Sequence, residues 1–330
     1  MNDSPPTPLP DLSVIVVNLN TRDLLRACLR SVVGSQESGV SSISSVSSLI
    51  HAPCPLTPEL IVFDNGSTDG SPEMVAAEFP AARLIRNAQN RGFAPANNQG
   101  LAVARGRYCV LLNSDTLVAP AALAHLVAFM DVHPEAGACG PQLRNADGSL
   151  QPSGRAFPTL ASALAELLPA PATWRRGLRG PLDARDYTQT CQVDEVSGAA
   201  LCLRRAALDQ IGLLDEEFFF LGEDVDLCWR LKAAGWQVYY LPEAAVIHLW
   251  GGSRKSRDGK ISLLAQRGYY LLFRKHRPRI EAGLLKVVVV ALTLLKLGKW
   301  LLVAAQRGDR EIARQAWTLH LAELGWLLRH

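Results

Sequence analysis

The 330-residue sequence predicts an α/β fold, a mostly parallel sheet with helices on both faces, followed by a helical C-terminal region. Three observations carry this prediction. Short apolar runs alternate with helix-period segments, the pattern of βαβ units. The runs are continuously apolar, as in strands buried on both faces. Several of them end abruptly in Asn, Asp and small residues, where an open α/β sheet binds its ligands.

Taken in order, Leu12–Val17 is a compact β-branched run, followed by Asn18-Leu19-Asn20-Thr21 and a helical pattern over Arg22–Val33. Eight of the fourteen residues in Ser35–Ser48 are serine, so residues 35–57 read as a Ser/Pro-rich surface insertion that cannot bury a core. Leu60–Phe63 is the second strand and runs into Asp64-Asn65-Gly66-Ser67-Thr68-Asp69-Gly70-Ser71. A helix over Pro72–Glu78, a strand at Leu84–Ile85, a helix over Pro95–Ala104 and a strand at Tyr108–Leu112 continue the alternation. Further on come a helix over Ala119–Met130, an irregular stretch at Pro171–Asp186, a helix from Glu223 to Ala234 stopped by Gly235, and a strand ending at His248.

Composition bounds the function. A hydrophobic fraction of 48% and a mean hydropathy of +0.08 describe a folded chain and exclude global disorder. The net charge of +3 is a cancellation: residues 1–253 hold 18 basic against 26 acidic residues, and residues 254–330 hold 16 against 5. That contrast divides the chain into an acidic part, 1–253, and a basic C-terminal part, 254–330. Seven cysteines without a CxxC pair, several inside apolar runs, fit buried thiols in a reducing compartment. The first basic residue is Arg22, so the start lacks the charged region of a secretory leader and a cytoplasmic location is expected. No GxGxxG follows the first strand and no GxxxxGK[ST] occurs, which argues against dinucleotide and P-loop chemistry. The absence of a triphosphate loop after that strand also disfavours a nucleotidyltransferase.

Polar residues at the strand ends are the candidates for chemistry. Asp64–Ser71 suits a ligand held by carboxylate and main-chain amides, and suits equally an Asx-turn leading into the next helix. Asn113-Ser114-Asp115-Thr116 presents a carboxylate fit for a hard divalent cation, or a helix N-cap. Glu223 and Asp224 follow the aromatic approach Phe218-Phe219-Phe220, which suits a general base, while acids in a first helical turn also simply complement the helix dipole. His248 is either a structural histidine or a metal ligand.

The ordered set VVNLN (Val16–Asn20), VFDNGSTDGS (Val62–Ser71), NRGFAPANNQG (Asn90–Gly100), LLNSD (Leu111–Asp115), GEDVDLCWRLKAAGW (Gly222–Trp236) and IHLWGGS (Ile247–Ser253) resembles the family 2 inverting glycosyltransferases of the GT-A fold, in their bacterial rhamnosyltransferase-like branch. The resemblance spans about residues 12–253 and implies roles position by position. Asp64, with Asn18, Asn20 and Asn65, would hold the base and ribose of a dTDP- or UDP-sugar. Asn90, Gly92 and Asn97 would position the nucleotide sugar. Asn113-Ser114-Asp115 occupies the DxD position with Asn replacing the first acid, so Asp115 and His248 are the implied ligands of Mg2+ or Mn2+. Asp224 corresponds to the catalytic base, with Glu223 as the runner-up. The implied reaction is a single inverting displacement onto a lipid-linked or cell-surface saccharide, with rhamnose as the expected sugar. Galactofuranose, glucose and N-acetylglucosamine donors stay open, and Asn113 keeps open a non-catalytic sugar-nucleotide-binding module.

In the basic part, Gly283–Gln306 is strongly apolar but interrupted by Lys286, Lys296 and Lys299. Its longest uncharged run, Val287–Leu295, is short of the about 20 residues a bilayer span needs. Lys286, Thr293, Lys296, Lys299 and Arg307 fall in one helical sector of about 140°, a basic amphipathic pattern. With Arg254–Arg279 before it, residues 254–307 are expected to lie on an anionic membrane surface at the cytoplasmic face. A helix packed on the protein's own core, or a tilted span, gives the same pattern. Nucleic acid is not an expected partner, since the basic residues interleave with aliphatic ones and not with stacking aromatics.

Overall fold

The computed structural model describes residues 10–37, 58–167, 186–219, 221–249, 258–307 and 310–330. Most of the serine-rich insertion, nearly all of the Pro171–Asp186 stretch, and Trp250–Ser253 with Arg254–Arg257 lie outside the described residues. The chain divides into two compact units: Met1–Phe157 with Pro181–Phe219 and Glu223–Lys255, and Pro158–Gly180 with Phe220–Gly222 and Ser256–His330.

The first unit is built on one sheet. Strands β1 (Leu12–Asn18), β2 (Glu59–Asp64), β3 (Arg83–Arg86) and β4 (Tyr108–Asn113) pair in parallel in the order β3-β2-β1-β4. Their crossovers are α1 (Arg22–Glu37), α2 (Ser71–Glu78) and α3 (Phe93–Val103). The sheet continues through β5 (Thr116–Val118), β6 (Ala136–Arg144), β11 (Ala200–Arg204) and β12 (Gln237–His248) in the order β4-β11-β6-β12-β5. This second half is mixed, because β11 runs antiparallel to β4 and β6, and β5 antiparallel to β12. Short strands β7 (Leu150–Gln151) and β9 (Cys191–Val193) join its flanks, and β8 (Gly154–Arg155) pairs with β10 (Glu195–Val196) in a separate ribbon.

Burial follows the two-residue period of a strand covered on both faces. Leu12, Val14 and Val16 face a core shared with Leu25 and Leu29 of α1 and with α4 (Ala122–Val132). Ile15 faces the opposite core, with Leu101, Leu201, and Leu227 and Leu231 of the late helix α7 (Glu223–Ala233), which follows α5 (Leu160–Leu167) and α6 (Arg205–Ile211). Gly100 is required where α3 crosses β1: a Cβ there would lie 2.4 Å from Ile15 Cγ2. The described cysteines are unbridged and all but Cys191 are buried, and burial pushes the Cys28 and Cys109 thiols up to about 12.

One alternative from the sequence is overturned. Asn113–Thr116 is not a helix N-cap, because Thr116–Val118 continues as β5 against β12 and α4 starts only at Ala122.

The second unit consists of α5, α8 (Asp258–His276), α9 (Arg279–Arg307) and α10 (Arg310–Arg329), around Ala163, Tyr270, Phe273, Leu285, Val289 and Leu327. Helix α9 is not turned with its polar sector outward. Thr293 is completely buried, its hydroxyl donating to the Val289 carbonyl, and Lys296 is buried enough to lower its pKa. Ile280, Leu284, Val287, Leu294 and Leu295 are exposed instead, Leu295 at 70%. Among the described residues no helix is long and apolar enough to cross a membrane.

Candidate active site

The carboxyl ends of β1 and β2 form one closed hydrogen-bonded network. Asn18 and Asp64 are register partners, and the Asn18 amide donates to Asp64 Oδ1 and to Ser67 Oγ, both at 3.0 Å. Asp64 Oδ2 accepts the Ser67 N–H at 2.9 Å, closing the turn. Asn20, in the left-handed region at φ 53°, takes the Thr68 N–H on its side-chain oxygen at 2.8 Å. Asn65 donates to Asn90 Oδ1 at 2.8 Å and to the Gly92 carbonyl at 3.0 Å, and Asn90 Oδ1 also takes the Gly92 N–H. Gly92 has φ 100°, and a Cβ on it would lie 2.9 Å from the Phe219 ring. Asn97 is the exception: it is buried and donates to the Phe93 carbonyl one turn back, so its amide serves its own helix.

The network reaches β4 through hydroxyls. Thr21 donates to Asn18 Oδ1 at 2.6 Å and lies 2.8 Å from Ser114 Oγ. Beyond Ser114, Asp115 Oδ1 stands 3.3 Å from His248 Nε2, and Asn113 Nδ2 is 3.5 Å from that nitrogen. Gln151 settles the imidazole's orientation. Its own N–H donates to Asn145, which leaves its oxygen, 2.7 Å from His248 Nδ1, as the acceptor. Nδ1 therefore donates to Gln151, and Nε2 is the nitrogen turned towards Asp115, the orientation a ligating histidine needs. A carboxylate oxygen and an imidazole nitrogen facing each other suit a shared cation. Mg2+ or Mn2+ would take these two donors and complete its shell with substrate phosphates and waters. Among the described residues no cluster of three or more His, Cys, Asp or Glu is placed to hold a metal, so the protein would supply this pair and the substrate the rest.

Helix α7 opens with three acids in different settings. Asp226 is buried against Arg230, Nε to Oδ2 at 2.8 Å, and Glu223 is buried. Asp224 is half-buried; its Oδ2 accepts the Gly198 N–H at 2.7 Å and its Oδ1 the Val225 N–H at 2.9 Å. Gly198 has no side chain for a reason, since a Cβ would lie 3.2 Å from Asp224 Cβ and from Oδ2. Next to it, the Ala199 carbonyl accepts the Asn113 N–H, so one short segment fixes both the acid on α7 and the end of β4.

Gln151 and Gly198 also belong to this site, which the sequence alone does not reveal, whereas Thr21 and Ser67 fall within the polar runs at the strand ends. Only folding brings Gln151 to His248 and Gly198 to Asp224.

The sequence pattern of glycosyl transferase family 2 matches residues 13–212, and that of glycosyl transferase family group 2 matches residues 182–321. Over 202 residues the chain is 32% identical to the N-acetylglucosaminyl-diphospho-decaprenol L-rhamnosyltransferase of Mycobacterium tuberculosis. That match covers 57% of this chain and 66%, just under two thirds, of the relative's length. Among solved structures, GalNAc-T7 with UDP, GalNAc and Mn2+ matches with TM-score 0.55 and 15% identity, covering 80% of this chain and 48% of that one. The mannosyltransferase PcManGT from Pyrobaculum calidifontis with GDP-Man and Mn2+ matches with TM-score 0.52 and 18% identity, covering 98% and 87%. At these identities the two structures speak for the fold alone.

Proposed function

The chain belongs to glycosyl transferase family 2, and from that premise we propose that it transfers rhamnose from dTDP-rhamnose, with inversion, to a lipid-linked saccharide. The observation that carries this reading is the convergence, at one edge of the sheet, of the Asn18–Asp64–Asn65–Asn90 network, the Asp115–His248 pair and the Asp224 carboxylate held by Gly198. The name of the mycobacterial relative supports the rhamnose and the lipid-linked acceptor. The reading assigns the Asp64 side of the site, with Asn18, Asn20, Asn65, Asn90, Gly92, Asn113 and Ser114, to the nucleotide sugar, and leaves Asn97 to hold the helix behind them.

Asp115 and His248 would hold a divalent cation, which when bound offsets the charge of the diphosphate leaving group. Asp224 takes the proton of the acceptor hydroxyl as that oxygen attacks the anomeric carbon from the face opposite the diphosphate. The Gly198 N–H fixes the carboxylate's orientation for that transfer, and Glu223, buried one residue earlier, has less access to an acceptor. Catalysis then consists mainly of positioning. We assign the catalytic domain to 1–253 and the helical region to 254–330.

The same reading has the protein work peripherally, on the inner face of a membrane, through 254–307. The outward apolar side of α9, with exposed Lys275, Arg279 and Lys299 near its two ends, suits a lipid surface with acyl chains in the middle and anionic headgroups at the rim.

The test is a panel of dTDP-, UDP- and GDP-sugars with Mg2+ or Mn2+ and a polyprenyl-diphosphate saccharide acceptor, read by mass. Transfer from dTDP-rhamnose above all others is expected, and transfer from another donor would reassign the sugar. Donor binding without transfer to any acceptor would favour the non-catalytic module that Asn113 leaves open. For the membrane, full-length protein should float with anionic vesicles and Leu294→Glu/Leu295→Glu should not; equal flotation of both removes α9 from the contact.

A further inference from the structure

Behind the candidate base lies an acid that the proposed mechanism does not use. Glu195, in the two-residue strand β10, is paired with Arg155 of β8 in register and is only 7% exposed. Its Oε1 lies 3.9 Å from Arg155 Nη1, a long ion pair, and its Oε2 is enclosed with no hydrogen-bond partner among the described residues. Three residues on, Gly198 grips Asp224, and α7, which carries Asp224, packs on β10.

The groups facing Glu195 do not compensate a charge on it. Burial raises its proton affinity most, and Asp224 and Asp194 raise it further; only Arg155 opposes them. Asp194 is itself engaged by Lys232, and the neighbouring Cys228 thiol and Tyr187 phenol are raised by burial and neutral. The balance pushes the Glu195 carboxyl up to about 8. An ionised, enclosed carboxylate with one distant cation is costly, whereas the neutral acid also has a hydroxyl to donate. Glutamine would fill the position without that liability, so an acid there, in electrostatic contact with Asp224, reads as a device of the site.

We propose that Glu195 is a positioning residue for the transfer reaction: kept as a neutral carboxylic acid beside the segment that holds Asp224, it adds no uncompensated negative charge next to Asp224, and its ionisation shuts the site down at alkaline pH. The proton it loses passes to solvent. The second negative charge then stands against the base and against an incoming diphosphate donor. This role rests on the transferase reading above.

Two measurements on full-length wild type and Glu195→Gln test it. By infrared difference spectroscopy, wild type should show a protonated carboxylic acid at neutral pH that titrates away around pH 8, and Glu195→Gln should lack it. In the pH profile of kcat/KM, wild type should fall above about pH 8 while Glu195→Gln keeps its neutral-pH activity within about threefold and loses that fall. Absence of the acid band, or identical alkaline limbs in the two proteins, overturns the proposal. If Glu195→Gln does not fold, Glu195→Met takes its place in both comparisons. An acid band in a chain with no transfer at any pH overturns the transferase reading and with it the positioning role, leaving Glu195 a purely structural acid.

Discussion

The two halves of the site's edge solve the same problem in opposite ways. At the ends of β1 and β2, the amides and carboxylates bond to one another: Asn18 to Asp64 and Ser67, Asn65 to Asn90 and Gly92, Asn20 to Thr68. Around β4, β12 and α7, polar atoms face each other across longer gaps, as Asp115 and His248 do at 3.3 Å, or lie enclosed with little compensation, as Glu195 does. The first half is a self-supporting frame that would meet a ligand with its shape already set. The second half carries electrostatic tension that a cation, a diphosphate or a proton can relieve. Polar networks that are satisfied rigidify, whereas groups left in tension mark chemistry.

If that contrast is right, damage on the two sides should be read in different assays. The largest effect belongs to Asp224→Asn, which keeps the Gly198 N–H contact to an oxygen but removes the proton acceptor. It should lower kcat about 100- to 10,000-fold, with a small loss of melting temperature because the Val225 N–H loses its acceptor. Activity within a few fold of wild type would move the base elsewhere, with Glu223 next in line.

Glu195→Gln should be a stability mutation whose effect changes with pH. The folded carboxyl is raised from its ordinary 4.5 to about 8, so the folded state holds a proton that the unfolded chain gives up over that interval. The contribution of Glu195 to stability is therefore fully present below about pH 4.5 and lost as pH rises to about 8. Wild type should lose a few kcal/mol relative to Glu195→Gln between those limits, measured as melting temperature against pH. Parallel curves would mean that Glu195 is ionised in the fold.

On the other half the damage should be structural. Asn18 is completely buried, and Asn18→Ala would strip partners from Asp64, Thr21 and Ser67 together. A loss of about 1–3 kcal/mol is expected, by denaturant midpoint. A stable Asn18→Ala with weak donor binding would show that this frame is held by its ligand and not by itself.

The same contrast explains what could be read in the sequence. The β1–β4 half was legible because period-two burial and strand-end polar runs are local signals, and DNGSTDGS closes its turn with Asp64 and Ser67, three residues apart. Gly198 and Gln151 act across distances in sequence of 26 and 97 residues, on Asp224 and His248, and no local pattern announces such pairs. Helix α9 shows a further limit. Its 3.6-residue period gives the two faces, but which face turns inward depends on α8 and α10, and Thr293 and Lys296 went in.

The smallest expected effect separates preparation of a ligand from ligation. Gln151 touches no proposed substrate; it holds the proton of His248 on Nδ1 through a 2.7 Å bond. Gln151→Leu frees the imidazole to rotate or to take its proton on Nε2, where it could no longer offer a lone pair beside Asp115. Because the pair forms no part of the β1–β2 frame, folding should be nearly untouched. Affinity for Mn2+, titrated on the full-length protein in the presence of a nucleoside diphosphate, should fall about 10- to 100-fold, the usual cost of losing an orienting partner. If Gln151→Leu instead lowered stability and left Mn2+ affinity alone, His248 would belong with the self-supporting half, and the division between the two sides would have to be redrawn around Asp115 and Asp224.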